Sequence, residues 1–234
     1  MTQLSIRLGF WSSFLIALAY VIFTACFAGI LLTAPLFIWS DLAAYVAYVE
    51  ANSQFFQNLA RLSMLLVGPL YVVLLNSIYE YADAGKKILA RIGLHFGLAF
   101  AVLTGINYFV QLTAVRFNLA QGELQGLEQW LQANPISALS AVNLLGWTLF
   151  FGLSSLVVAP VFAGGRLETV VKMAFLANGV FCLLAGIAYA FDLVVLLFLT
   201  INLGMGGAVL VASVALCILF YRQQTLSKAH PAAT

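Results

Sequence analysis

Residues 173–221 read MAFLANGVFCLLAGIAYAFDLVVLLFLTINLGMGGAVLVASVALCILFY, and Asp192 is the one charged side chain in the stretch. A helix needs about 20 mainly apolar residues to cross a hydrocarbon core of about 30 Å. The run is too long for one crossing and suits two. Asp192 is the group that resists burial in hydrocarbon, and a turn there leaves two spans of adequate length. A turn at 202–207 would leave the last helix too short to cross.

The same reading carried outward predicts six spans, at 10–35, 62–79, 92–115, 139–162, 171–190 and 194–221. Composition agrees: 64% of the residues are hydrophobic and 8% charged, against about half and a quarter in soluble domains. Ten Lys and Arg against eight Asp and Glu make no nucleic-acid surface, and three scattered Cys make no disulfide framework. Cys26, Cys182 and Cys217 lie inside predicted spans and read as small packing residues. The expected fold is all-α, a polytopic bundle of six transmembrane helices in one domain over 1–222, followed by a short cytoplasmic tail at 223–234.

Cytoplasmic loops retain positive charge. With six spans, Arg7, Lys86, Lys87, Arg91, Arg166, Lys172, Arg222 and Lys228 share one side, leaving Arg61 and Arg116 on the other. Both termini are therefore expected in the cytoplasm. The apolar run after Arg7 outlasts a signal peptide, and Phe23-Thr24-Ala25-Cys26 is a poor lipoprotein box. The expected location is a cell membrane crossed several times, of the bacterial cytoplasmic type.

Two outer segments, 41–60 and 117–132, exceed simple connectors. Leu42, Tyr45, Val49 and Phe56 follow helical spacing in the first, and Phe117, Leu124, Leu127 and Leu131 in the second. Each is expected as an amphipathic helix at the outer interface. A weaker pattern echoes between alternate spans: Ala17-Leu18-Ala19-Tyr20, Gly105-Ile106-Asn107-Tyr108 and Gly186-Ile187-Ala188-Tyr189. Three tandem hairpins would produce it.

Small residues let helices approach in lipid. Gly93, Gly97, Ala101 and Gly105 recur every fourth residue in the third span, which is expected to be central, with Gly204, Ala208 and Ala212 of the sixth span as a natural partner ridge. Polar groups sort by depth. Toward the outside lie Asn107, Tyr108, Gln111, Asn143, Trp147 and Asp192; toward the cytoplasm lie Asn76, Ser77, His95, Ser154, Ser155 and Asn178, with Asn202 near the middle.

Asn107, Tyr108, Gln111, Asn143 and Trp147 form the candidate ligand-binding set, because amides offer donors and acceptors to an uncharged or zwitterionic ligand beside aromatic rings. The same amides also serve as glue between helices. Arg116 and Asp192 are placed to pair at the outer boundary. With His95 and His230 as the sole histidines, no metal site or bis-histidine haem is expected. No nucleotide-binding or hydrolase motif occurs, and neither a catalytic residue nor a cofactor is assigned.

The function expected is to bind or pass a small, weakly charged or lipid-like molecule through an outer-facing cavity. An accessory or scaffold subunit is the first rival. A lipid-modifying enzyme using His95 or Asp192 is the second. Expected partners are membrane lipids, a small-molecule ligand, and a membrane protein or second copy of the chain; nucleic acid is excluded.

Overall fold

The computed structural model describes residues 1–229, with side chains through Leu226. Among the described residues there is no strand, and six helices are long and apolar enough to cross a membrane. They are α1 (Gln3–Thr33), α3 (Phe55–Tyr81), α4 (Ala84–Gln121), α5 (Ala138–Val161), α6 (Arg166–Ala190) and α7 (Val194–Leu226), with the short α2 (Leu42–Ala51) between the first two. The protein is a multi-pass membrane protein. The helical backbone of α7 continues to Ala229, into the expected tail. Side chains from 227 onward, Lys228 included, and all of His230 lie outside the described residues.

Local chemistry sets the ends. Thr2, Asp41 and Ser137 cap α1, α2 and α5 by accepting from the amides of Ser5, Ala44 and Ser140. Asp192 makes the expected turn, at φ +53°. Its amide bonds to the Tyr189 carbonyl while that of Leu193 reaches back to Ala188, the pattern that satisfies orphan carbonyls at a helix end. Gly122, at φ +71°, ends α4 in the same way, with the Glu123 amide on Asn118.

Gly122 also explains a departure from expectation. Segment 117–132 is not one amphipathic helix: α4 runs into it, stops at Gly122, and a 3-10 turn at Leu127–Trp130 follows Gly126 at φ +73°. Both glycines hold a left-handed backbone that interrupts the helical spacing. The predicted apolar faces nevertheless meet. Tyr45, Val115, Leu127 and Leu131 form a small core with Leu42, Val49, Val110 and Leu124 packed around it. Segments 41–60 and 117–132 thus close on one another over the end of α4.

The spanning helices form a ring in chain order, each touching its neighbours, with α1 closing on α7. Helix α4 is therefore no more central than the rest. Its glycines face the two flanks: a Cβ on Gly93 would strike Val158 of α5, and one on Gly97 would strike Leu75 of α3. The sixth span does not partner it either, because Gly204 packs against the Phe181 ring of α6. A close crossing also joins α5 and α6, where a Cβ on Gly152 would lie 2.9 Å from Cys182 Cβ and one on Gly179 would lie 3.0 Å from the Gly152 carbonyl.

Candidate functional site

The end of the ring near Arg7, Lys86 and Arg166, here the basic end, is sealed by hydrogen bonds between helices. Ser154 Oγ donates to the Gly93 carbonyl at 2.7 Å and therefore accepts from Tyr71 Oη, 2.9 Å away. Asn178 Nδ2 donates to Ser155 Oγ at 2.7 Å. These bonds tie α3, α4, α5 and α6 together, so Ser154, Ser155 and Asn178 act as glue. His95 is exposed on the helix surface while Ser154 is fully buried and bonded elsewhere, which leaves no serine-histidine pair.

A plug of rings lies above this layer. Phe100 stacks on Phe151 with centroids 4.6 Å apart and meets the Trp147 edge at 4.7 Å, while Tyr71 abuts Phe151 at 4.9 Å. Beneath it lies a void of about 20 Å³ lined by Ile16, Val67 and Ser155 among others.

On the far side of the plug the ring opens into a cavity of about 660 Å³ to which all six spans contribute. Ligand sites commonly occupy about 300–1,000 Å³. Trp147 and Tyr108 line it, and the Trp147 indole N–H donates to Tyr108 Oη at 3.2 Å, which leaves the tyrosine's own proton for another acceptor. Asn143 joins them, 7% exposed, with Oδ1 lacking a protein partner. Tyr20 is 6% exposed and its hydroxyl is likewise unpartnered, as is Gln57 Oε1. Buried polar atoms are nearly always bonded to protein or ordered water, so Tyr20, Gln57 and Asn143, which all line this cavity, give its wall three buried polar atoms that the protein leaves unsatisfied.

Two of the five expected site residues stand apart. Gln111 faces a second space of about 280 Å³ beneath α2, and its side-chain amide donates to the Trp130 carbonyl, holding the 3-10 segment down. Asn107 lines neither space; it is 0% exposed with neither amide atom bonded. Arg116 and Asp192 do not pair: the guanidinium lies over the Phe117 ring at 4.9 Å, and Asp192 is exposed.

Sequence reasoning missed Tyr20, Gln57, Arg61, Met64, Tyr189 and Met205, all of which line the larger cavity. The tyrosine echo was a signal for part of this set. Tyr20, Tyr108 and Tyr189 come from α1, α4 and α6 and face one space, the last also bonded to the Pro135 carbonyl at 2.9 Å.

Backbone irregularity gathers at the same end. Wide π-helical turns occupy Gln111–Val115, Leu145–Phe150 and Thr200–Met205, and such turns are rare and frequent at functional sites. The second carries Trp147 and the third carries Met205 and Asn202, all cavity-lining. Helix α7 is therefore widened at Gly204 and continues as ordinary helix from Gly206.

The wall is incomplete on one side. Helix α1 packs along the later part of α7, where Gly9 meets the Phe220 ring. It makes no comparable contact with the Val194–Leu199 or Thr200–Met205 turns. Thr24, Leu203 and Leu210 line the cavity there and are exposed at the bundle surface. Among the described residues, no three His, Cys, Asp or Glu side chains gather into a metal-binding group.

No known protein family matches this chain, and comparison with curated proteins and with solved structures finds no match.

Proposed function

We propose that this protein binds a small, weakly charged or lipid-like molecule in the cavity bounded by Tyr20, Tyr108, Asn143 and Trp147, admitting it from the bilayer between α1 and α7. The observation that carries the reading is the set of unpartnered polar atoms, on Tyr20, Gln57 and Asn143, in the wall of a large and mainly apolar space. The gap beside α1 supports access from the membrane. The sealed basic end supports binding or one-sided exchange over an open pore. In this reading the basic end faces the cytoplasm of a bacterial cell and the cavity faces outward, in keeping with the loop charges.

Native mass spectrometry of protein extracted gently with its own lipids tests the proposal. The wild type should retain a defined small molecule or lipid that is lost from folded Asn143→Leu and Tyr20→Phe variants. Equal retention by all three overturns the assignment of the site.

A scaffold role is the second reading, favoured by an apolar groove between α6 and α7 where Gly204, Gly207 and Ala208 lie beside Met173 and Leu203. It predicts a co-purifying membrane protein that Gly207→Leu displaces, with Asn143→Leu without effect.

A further inference from the structure

We propose that the cavity reads a single acidic group, so that its guest is an anionic amphiphile whose phosphate or carboxylate sits at Arg61; this rests on the ligand-binding reading above.

Arg61 lines both the larger cavity and the 280 Å³ space beneath α2, so it stands where the two adjoin. Its guanidinium offers five donors. Among the described residues its one hydrogen bond runs from Nη1 to Asn58 Oδ1, at 3.3 Å. No carboxylate among the described residues comes within ion-pair reach of it. Three other cations lie against rings: Lys87 and Arg91 are 5.0 and 5.6 Å from the Tyr79 ring centre, and Arg116 covers Phe117. The charged groups facing the two spaces are Arg61, Arg116 and Glu50, an excess of one positive charge. A charge this close to hydrocarbon normally finds a counter-charge, and here Glu50 offsets only one of the two cations.

Depth agrees with a lipid-like guest. Arg61 lies six residues from the start of α3, roughly 9 Å along the axis at about 1.5 Å per residue. At 27 residues α3 is roughly 40 Å long and exceeds the hydrocarbon core by about 10 Å. The guanidinium is thus near the level where hydrocarbon gives way to head groups. One turn toward the helix start, Gln57 also lines the cavity, with its side-chain oxygen buried and without a protein partner. Toward the bilayer centre the lining turns apolar through Met64, Trp147 and Met205. An acidic head at Arg61 with its chain pointing inward matches the posture of a lipid in the outer leaflet, and the gap beside α1 lets the chain continue into the membrane.

The test uses the full chain in a neutral detergent, titrated with lysophosphatidylglycerol, lysophosphatidylcholine or inorganic phosphate and read by native mass spectrometry and thermal shift. The wild type should prefer the anionic lysolipid by about tenfold, the scale of one charge-assisted contact. Arg61→Gln should bring the two lysolipids to parity, Arg61→Lys should keep most of the preference, and Asn143→Leu should weaken both alike. Equal binding of the two lysolipids by the wild type overturns the anion assignment and leaves the cavity reading standing. Binding of neither overturns the cavity reading itself. Inorganic phosphate competing at the same concentration as the lysolipid identifies a free-anion site and overturns the amphiphile. Should Arg61→Gln not fold, the wild-type ratio and Arg61→Lys still decide.

Discussion

The two ends of the ring use the same helices to opposite effect. Near the basic end, glycines bring backbones together and every polar side chain described above that faces a neighbouring helix finds a partner: Tyr71 with Ser154, Ser154 with Gly93, Asn178 with Ser155. Toward the other end the helices part around a cavity, three of them contain π-helical turns, and Tyr20, Asn107 and Asn143 hold buried atoms without protein partners. In lipid, association depends on close packing and interhelical hydrogen bonds. The first end is where the fold is held; the second retains polar atoms that stability alone would not favour.

The largest expected effect comes from prying the packed end open. A Cβ on Gly179 would collide with Leu156 and sit 3.0 Å from the Gly152 carbonyl, whereas one on Gly105 meets nothing within 4 Å. Backbone cannot swing away as a side-chain tip can. Gly179→Leu should lose about 3 kcal/mol or more, the upper range for overpacking, seen as a collapse in folded yield or a much lower melting temperature. Gly105→Leu should behave like the wild type. Equal tolerance at both positions would dissolve the contrast between the ends.

A smaller loss is expected from the hydrogen-bonded layer. Ser154→Ala strands the buried Tyr71 hydroxyl, a cost of about 1–2 kcal/mol, measurable by unfolding in mixed micelles. The double variant Ser154→Ala/Tyr71→Phe should recover part of it, because removing both partners leaves no stranded group. A double variant worse than the single one would mean that the pair is not coupled as the 2.9 Å contact implies.

Much of this architecture is legible in the chain, for identifiable reasons. Hydrophobic runs and charge breaks mark the spans because the bilayer imposes a length, and Asp192 marks its turn because it alone interrupts residues 173–221. The ring order is not legible: Gly93 and Gly97 advertise close approach without naming α5 and α3 as the neighbours. The site is half legible. Asn143, Trp147 and Tyr108 share the cavity as their depth and type suggest. Gln111 was pulled away by the loop carbonyl of Trp130, a contact that depends on where Gly122 and Gly126 stop the helix. Arg61 reads only as one of two basic residues on the less basic side, Gln57 carries no signal of its own, and only the ring brings them to the cavity.

The smallest effect on stability is expected at Asn107, where it separates glue from vacancy most sharply. This side chain is 0% exposed and both its amide atoms lack partners, although Asn178, the same residue type and buried to the same degree toward the other end, is bonded to Ser155. Replacing a bonded buried amide by an apolar residue strands its partner; replacing an unbonded one strands nothing and removes a desolvation cost. Asn107→Leu should therefore leave unfolding stability unchanged or raise it by up to about 1 kcal/mol, while Asn178→Leu lowers it by about 1 kcal/mol by orphaning the Ser155 hydroxyl. Measured side by side in the same micelles, losses of equal size would show that Asn107 is bonded through ordered water and belongs to the scaffold. A gain at Asn107 beside a loss at Asn178 would place the polar atoms of the open end outside the set that stabilises the fold.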